Sequence, residues 1–246
     1  MNLFAQGIAW IFDPANNVGS DAVGIRLWEH VWITLLTVAI AVAIAVPVGL
    51  LIGHTGKGRS IAVGVSGGIR ALPTLGVLTL LALSIGLGLG APLIALVILA
   101  IPSVLAGAYS GVEAIDRVVI DAAKAQGMTG WQILGKVEIP LALPLIVGGI
   151  RAAVLQVVAT ATLVGYINAG GLGGYAFSGI ANSDYAEVLG GSLLVIALAI
   201  AFEIVFAALQ RLAVPAGVSA GSARLSRRST RSSAPRASTP VEGTHP

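Results

Sequence analysis

Five long apolar stretches dominate this sequence and limit the folds open to it. A helical bilayer span requires about 20 consecutive, mostly apolar residues, and each stretch is at least that long. They cover residues 31–52, 61–89, 92–112, 141–167 and 189–212, with Pro73 interrupting the second. Of the 246 residues, 56% are hydrophobic and 10% are charged, whereas about 25% charged residues is typical of soluble domains. We therefore predict one all-α integral membrane domain over residues 31–212, with about five transmembrane helices.

The basic residues predict how this domain is oriented, because loops rich in Lys and Arg stay in the cytoplasm. If the stretches cross the bilayer in turn, eleven of the fourteen bases share one side: Lys57, Arg59, Arg117, Lys124, Lys136, Arg211, Arg224, Arg227, Arg228, Arg231 and Arg236. Residues 1–30 carry only Arg26 and are predicted to be an extracytoplasmic segment. Residues 213–246 are predicted to be a disordered basic cytoplasmic tail. The N-terminus is thus expected outside and the C-terminus inside.

The loop at residues 113–140 lies on the basic side and is rich in helix-forming residues. Residues 116–126 predict a short amphipathic helix, which Gly127 would end by adopting a positive φ. Thr129 and Gln132 have the spacing of a capping box and predict a second helix. We expect that helix to end before Pro140, because proline lacks an N–H group and disfavours helix at the preceding residue.

The same loop carries a recognisable motif. Its pattern is Asp121-Ala122-Ala123, three residues, Gly127, nine residues and then Val137-Glu138-Ile139-Pro140. This pattern resembles the EAA loop of ABC importer permeases, with Asp, Val and Ile at the positions where the family has Glu, Ile and Leu. The resemblance implies the type I (MetI-like) permease fold, in which this loop is a coupling helix that docks on a separate ATPase. The implied ATPase-coupling residues are Asp121, Ala122, Ala123, Gly127, Val137, Ile139 and Pro140.

Three further segments narrow the resemblance. They are residues 70–75 (RALPTL), 138–144 (EIPLALP) and 169–173 (AGGLG), and they resemble the osmoprotectant permeases for glycine betaine, carnitine or choline. A compatible solute of this kind, or a proline-like one, is the implied cargo. The implied partners in a bacterial cell membrane are two ATPase subunits, a second permease copy or paralogue and an extracytoplasmic solute-binding protein. Two alternatives stay open: a permease for another solute, such as methionine or a sulfonate, and an ion-coupled secondary transporter.

We expect this chain not to be an enzyme. Residues 130–136 fit GxxxxGK, but Val137 stands where a phosphate-binding loop has Ser or Thr, and no strand pattern precedes them. The chain has no cysteine, which excludes thiolate ligands and a thiol nucleophile. We therefore expect no catalytic residue, cofactor, metal or nucleic-acid partner, and ATP hydrolysis is left to a partner subunit.

Charged residues and prolines inside the apolar stretches are further candidates for function. Counted at about 1.5 Å per residue, Arg151 and Glu203 lie at a similar depth from the basic side. We predict that they pair, within one subunit or across a dimer, as a structural lock rather than a proton relay. Pro73 and Pro102 are predicted to kink their helices and to line a pathway.

Small residues at four-residue spacing predict where helices pack closely. Examples are Gly64 with Gly68 and Gly149 with Ala153. Such contacts serve tight packing alone, or they also let helices slide past one another during transport.

Overall fold

The computed structural model describes residues 2–213, so the predicted tail at 213–246 lies outside the described residues apart from its first residue. Within this part of the chain all regular structure is helical. The α-helices are α1 (Leu3–Phe12), α2 (Val23–Thr55), α3 (Arg59–Ala71), α4 (Thr74–Ile85), α5 (Gly90–Glu113), α6 (Arg117–Ala125), α7 (Gly130–Ile133), α8 (Ile139–Thr160), α9 (Gly173–Asn182) and α10 (Tyr185–Ala213). A π-helix at Leu134–Glu138 joins α7 to α8, and a 3-10 helix at Ala161–Ile167 continues α8.

Four helical runs are long and apolar enough to cross a bilayer: α2, α5, Gly130–Ile167 and α10. The remaining predicted span is broken, because α3 and α4 meet at an angle of 85°. Pro73 stands at this break and has no N–H group with which to continue α3. Counted as one span, the bent pair completes five crossings, and the predicted all-α membrane fold is confirmed.

The N-terminal residues pack on the membrane helices. α2 begins at Val23, eight residues before the predicted start of the first span, and α1 ahead of it is a short apolar helix. α1 lies against α10. The contact is close, since a Cβ added to Gly7 would lie 2.8 Å from the Cβ of Leu189.

The core of the domain is formed by α5, which packs against both α2 and α8. A Cβ added to Gly107 of α5 would lie 2.7 Å from the Cα of Gly149 in α8, so the two backbones touch because both residues lack a side chain. Gly149 thus packs closely, as predicted. Gly64 and Gly68 of α3 make no such contact within the described chain, where an added Cβ would meet no atom within 4 Å, so their close packing stays a prediction.

The second loop helix does not end before Pro140, and that prediction was wrong. In the π-helix, the N–H group of Ile139 bonds to the carbonyl of Leu134, five residues earlier. This wider turn changes the hydrogen-bond register just before Pro140, which has no N–H group to donate. One continuous helical run therefore leads from α7 into the membrane.

Candidate coupling site

The first helix of the candidate coupling loop (residues 113–140) is capped at both ends. The Asp116 carboxylate accepts a hydrogen bond at 2.9 Å from a backbone N–H two residues later, which satisfies a free donor of α6. At the other end Gly127 has a φ of 78°. Its N–H group and the next one bond back to the carbonyls of Lys124 and Ala123 at 2.9 and 3.2 Å. This Schellman ending confirms the predicted helix and its glycine terminus.

The second helix of the loop begins with the predicted capping box. The backbone N–H group of Thr129 donates to Oε1 of Gln132 at 2.9 Å, and the Thr129 side chain accepts from the Gln132 backbone. Two donors at the start of α7 are satisfied in this way, which fixes how the chain enters the helix.

Apolar side chains of α6 and α7 are exposed, and we call this surface the coupling face. It consists of Val118, Val119, Ala122 and Trp131. Val118 is 71% exposed and Trp131 is 74% exposed. Exposed apolar groups on consecutive helices of one loop are typical of a surface that binds another protein. Asp121 is exposed beside them, 3.6 Å from Lys124, whereas Ala123 is buried against the domain.

The second half of the motif lies at the membrane end of the loop. Val137 and Ile139 are half-buried in the continuous helical run, and Pro140 is exposed there. Between them, Glu138 is buried, and its Oε2 lies 2.5 Å from Nδ1 of His54 in the last turn of α2. The sequence analysis did not pair these two residues, because 84 positions separate them along the chain. The one available signal was a carboxylate within an apolar motif.

A polar cavity of about 470 Å³ opens between α6 and the adjoining ends of α2 and α5. Charged side chains line it: Arg59, Glu113, Arg117, Asp121, Lys124 and Glu138. Nε of Arg59 lies 3.5 Å from Oε1 of Glu113, so α3 is also joined to α5 here. The loop is thus held to the membrane helices by polar contacts around an open space.

The structure brings Arg151 of α8 and Glu203 of α10 together within one chain. Nε of Arg151 donates to Oε2 of Glu203 at 2.9 Å, and Nη2 donates to Oε1. Nη1 donates to Oε1 of Gln210 at 2.8 Å, and the Gln210 amide donates to the carbonyl of Pro144 at 3.3 Å. Gln210 was not predicted, since an amide carries no charge to mark it inside an apolar stretch.

The two predicted kink prolines lie in different settings. Pro73 is exposed at the break between α3 and α4. Pro102 is buried within α5, which continues through it as a helix.

At the opposite end of the domain, polar side chains hold the glycine-rich segment at residues 169–173. The ring of His30 is fully buried. Its Nδ1 accepts from the N–H group of Leu172 at 3.3 Å, and Nε2 donates to the carbonyl of Val158 at 3.0 Å. The Glu29 carboxylate accepts from a neighbouring N–H group of the segment at 2.9 Å. These bonds anchor the segment to α2.

A buried tyrosine adds a second anchor at this end. Tyr175 of α9 donates its hydroxyl to the carbonyl of Asp21 at 2.5 Å, and its ring stacks edge-on against Trp10 with centroids 4.9 Å apart. Burial raises the pKa of Tyr175 to about 12. A tyrosine is already protonated at neutral pH, and the raised pKa keeps this hydroxyl able to donate at more alkaline pH as well.

Residues 45–216 match the family described as binding-protein-dependent transport system inner membrane component. The chain belongs to this family. It is therefore an ABC permease and a multi-pass membrane protein.

Several relatives of this permease are permease proteins named for the transport of glycine betaine, carnitine, choline or an osmoprotectant. It is 33% identical over 190 residues to the glycine betaine/carnitine/choline transport system permease protein OpuCB of Bacillus subtilis, covering 77% of this chain and 88% of that one. It is 34% identical to the carnitine transport permease protein OpuCB of Listeria monocytogenes, covering 79% and 89%. It is 31% identical to the osmoprotectant import permease protein OsmW of Salmonella typhimurium, covering 78% and 91%.

Solved structures support the fold of the permease. An inward-facing crystal form of the MetNI methionine ABC transporter superposes with a TM-score of 0.69, covering 77% of this chain and 95% of that one. Sequence identity in this match is 22%. The likeness confirms the predicted MetI-like architecture.

Proposed function

We propose that this permease carries a compatible solute into the cell, driven by ATP hydrolysis in a separate subunit. Glycine betaine, carnitine, choline or a proline-like solute is the cargo. The cargo class is supported by the names of relatives 31 to 34% identical to the chain. The role of ATP rests on one observation, the coupling face, where exposed apolar side chains stand on two capped helices.

Two structural connections would carry the movement of the ATPase into the membrane. The first is the continuous helical run from α7 into α8, which connects the coupling face directly to a membrane helix. The second is the bond between Glu138 and His54, which joins the same run to α2. A displacement of the loop then moves α2 and α8 together, and α5 packs against both. This is how closure of an ATPase pair would switch the pore between inward-facing and outward-facing states.

The permease acts with partners in this proposal. A pore needs a second permease, either another copy or a paralogue, and an extracytoplasmic solute-binding protein delivers the cargo. The basic residues support an N-terminus outside and a C-terminus and coupling face inside. Residues 31–212 form the permease domain, between an extracytoplasmic segment and a cytoplasmic tail.

The experiment is reconstitution of the complete transporter in vesicles, followed by measurement of solute-stimulated ATP hydrolysis and uptake. Gly127→Val is the decisive variant, because valine does not tolerate the φ of 78° that turns α6 into α7. We expect uptake per ATP hydrolysed to fall at least about tenfold, with the permease still present in the membrane.

Gly19→Val is the matched control. Gly19 also has a positive φ, of 88°, with no atom within 4 Å of an added Cβ, but it lies ahead of α2 and far along the chain from the loop. The Gly19→Val variant should leave the ratio of solute uptake to ATP hydrolysis unchanged. Normal coupling in Gly127→Val would refute the role of the loop. Stimulation by methionine or a sulfonate alone would refute the cargo, and uptake without ATP would refute ATP-driven transport.

A further inference from the structure

Arg70 lies at an unusual place, where the broken span changes direction. It is the last residue but one of α3, immediately before Leu72 and Pro73 turn the chain by 85° into α4. Its Nη2 lies 3.5 Å from Oγ of Ser103, near the middle of the 24-residue helix α5. The guanidinium is therefore held at a depth close to the centre of the domain, and Arg70 is exposed there.

The charge of Arg70 has no counterion in the described part of the chain. Within residues 2–212, no carboxylate oxygen lies within 4.0 Å of it. Arg151, the other arginine deep inside a span, is paired with Glu203. A cation at this depth is costly unless it faces a polar cavity or meets an opposite charge. The charge of Arg70 is thus available to an anionic group from outside the described chain.

The groups that hold Arg70 are neutral and already hydrogen-bonded. Ser103 is 9% exposed, and its hydroxyl donates to Oε1 of Gln156 at 2.9 Å. Nε2 of Gln156 donates to the carbonyl of Leu99 at 2.9 Å. This chain of bonds leaves a lone pair of Ser103 to accept from Arg70 but supplies no negative charge. A guanidinium has five N–H donors, and Ser103 engages one of them.

The break between α3 and α4 also favours an anionic ligand. α4 starts three residues after Ala71, and no side chain caps its N-terminus, so its first N–H groups add positive potential near Arg70. Transporters commonly place substrate groups at broken helices near the bilayer centre. The free donors of a guanidinium form a planar fork that matches the two oxygens of a carboxylate.

We propose that Arg70 binds the carboxylate of the cargo as it passes through the permease, with Ser103 and Gln156 positioning the guanidinium. This inference rests on the proposed function and adds a chemical preference to it. Zwitterions that carry a carboxylate, such as glycine betaine and carnitine, use the site. Choline has a hydroxyl in place of the carboxylate and passes without it.

The test is a comparison of Arg70→Gln with the wild-type protein in the complete reconstituted transporter. We expect Arg70→Gln to lower uptake of glycine betaine about tenfold or more, mainly through a higher KM, and to change choline uptake less than about twofold. Arg70→Lys keeps the charge but loses the fork, so we expect an intermediate value. Thr79→Val in α4, where the hydroxyl bonds only to its own helix, is the control and should behave as the wild type.

A second measurement does not depend on which solutes the solute-binding protein delivers. Binding of radiolabelled glycine betaine to the permease–ATPase complex, without the solute-binding protein, should be saturable in the wild type and in Thr79→Val and lost in Arg70→Gln. Equal loss of choline and glycine betaine uptake in Arg70→Gln, or unchanged glycine betaine binding, would overturn the role of Arg70. So would a wild-type complex that moves choline alone, although the proposed function would then stand. A wild-type complex that no compatible solute stimulates would instead refute the proposed function.

Discussion

Nδ1 of His54 lies 2.5 Å from Oε2 of Glu138, and this contact joins the end of α2 to the motif of the candidate coupling loop. The Glu138 side chain is 6% exposed and that of His54 is 23% exposed. A carboxylate in such a place requires a partner, because an unpaired buried charge is expensive. The pair therefore holds the loop against the domain and offers a route for its movement.

Removing His54 should cost more stability than neutralising its partner. His54→Ala leaves the Glu138 carboxylate buried without a partner, and we expect a loss of about 3 kcal/mol. Glu138→Gln keeps a hydrogen-bonding group and should cost about 1 kcal/mol. Thermal unfolding of the detergent-solubilised permease measures both.

The double variant and a control sharpen this prediction. His54→Ala combined with Glu138→Gln removes the buried charge, so it should unfold at a higher temperature than His54→Ala alone. Asp121→Asn loses only an exposed contact with Lys124 and should shift stability by less than about 0.5 kcal/mol. A His54→Ala protein as stable as Asp121→Asn would contradict the buried-pair interpretation.

The crossing of α5 and α8 should tolerate no added carbon at Gly149. An alanine Cβ there would lie 2.8 Å from the Cα of Gly107 and 2.9 Å from the carbonyl oxygen of Ser103. We expect Gly149→Ala to destabilise the permease by about 1 to 3 kcal/mol. Gly64→Ala is the matched control, because its Cβ meets no atom within 4 Å and alanine favours a helix by about 1 kcal/mol. Opposite shifts in unfolding temperature are expected, and equal shifts would count against the close crossing.

Arg151 and Glu203 should be exchangeable if they act as a structural lock. Arg151→Glu and Glu203→Arg each place like charges side by side within the span, so we expect uptake to fall at least about tenfold in each. The double exchange restores opposite charges and should regain part of the uptake, limited by the lost bond to Gln210. Uptake assays in vesicles with matched protein amounts decide this. A double variant no better than either single one would argue against the lock.

Trp131 should contribute strongly to binding of the ATPase. It is 74% exposed on the coupling face, and exposed tryptophans are frequent centres of binding energy, worth about 2 kcal/mol or more when truncated. We expect Trp131→Ala to weaken co-purification of the ATPase about thirtyfold, the equivalent of that energy, with unchanged thermal stability. Phe12→Ala, 78% exposed on α1, is the control. If both variants retained the ATPase equally, Trp131 would have no place in the interface.

Much of the candidate site was predictable, because its signals act over a few residues. Asp116, Gly127 and Thr129 cap or end helices through bonds to neighbours two to five residues away. The pairing of Arg151 with Glu203 was predictable for another reason. In a bilayer, the depth of a residue can be estimated by counting along its helix. Two opposite charges at the same depth tend to pair, because an unpaired charge inside the membrane is costly.

The remainder depended on contacts between distant parts of the chain. Pro140 was expected to end a helix, but the π-helical turn before it keeps the helical run continuous. The local rule for proline does not predict whether such a π-helical turn forms. Sequence by itself determined where the long apolar stretches lie, the charge asymmetry and the caps of the loop, since these follow from hydrophobic length, composition and short-range hydrogen bonds. Only the tertiary structure decided that Glu138 meets His54 and that Arg70 stands beside neutral Ser103. Those pairings follow from how the helices pack, which no periodicity within one helix encodes.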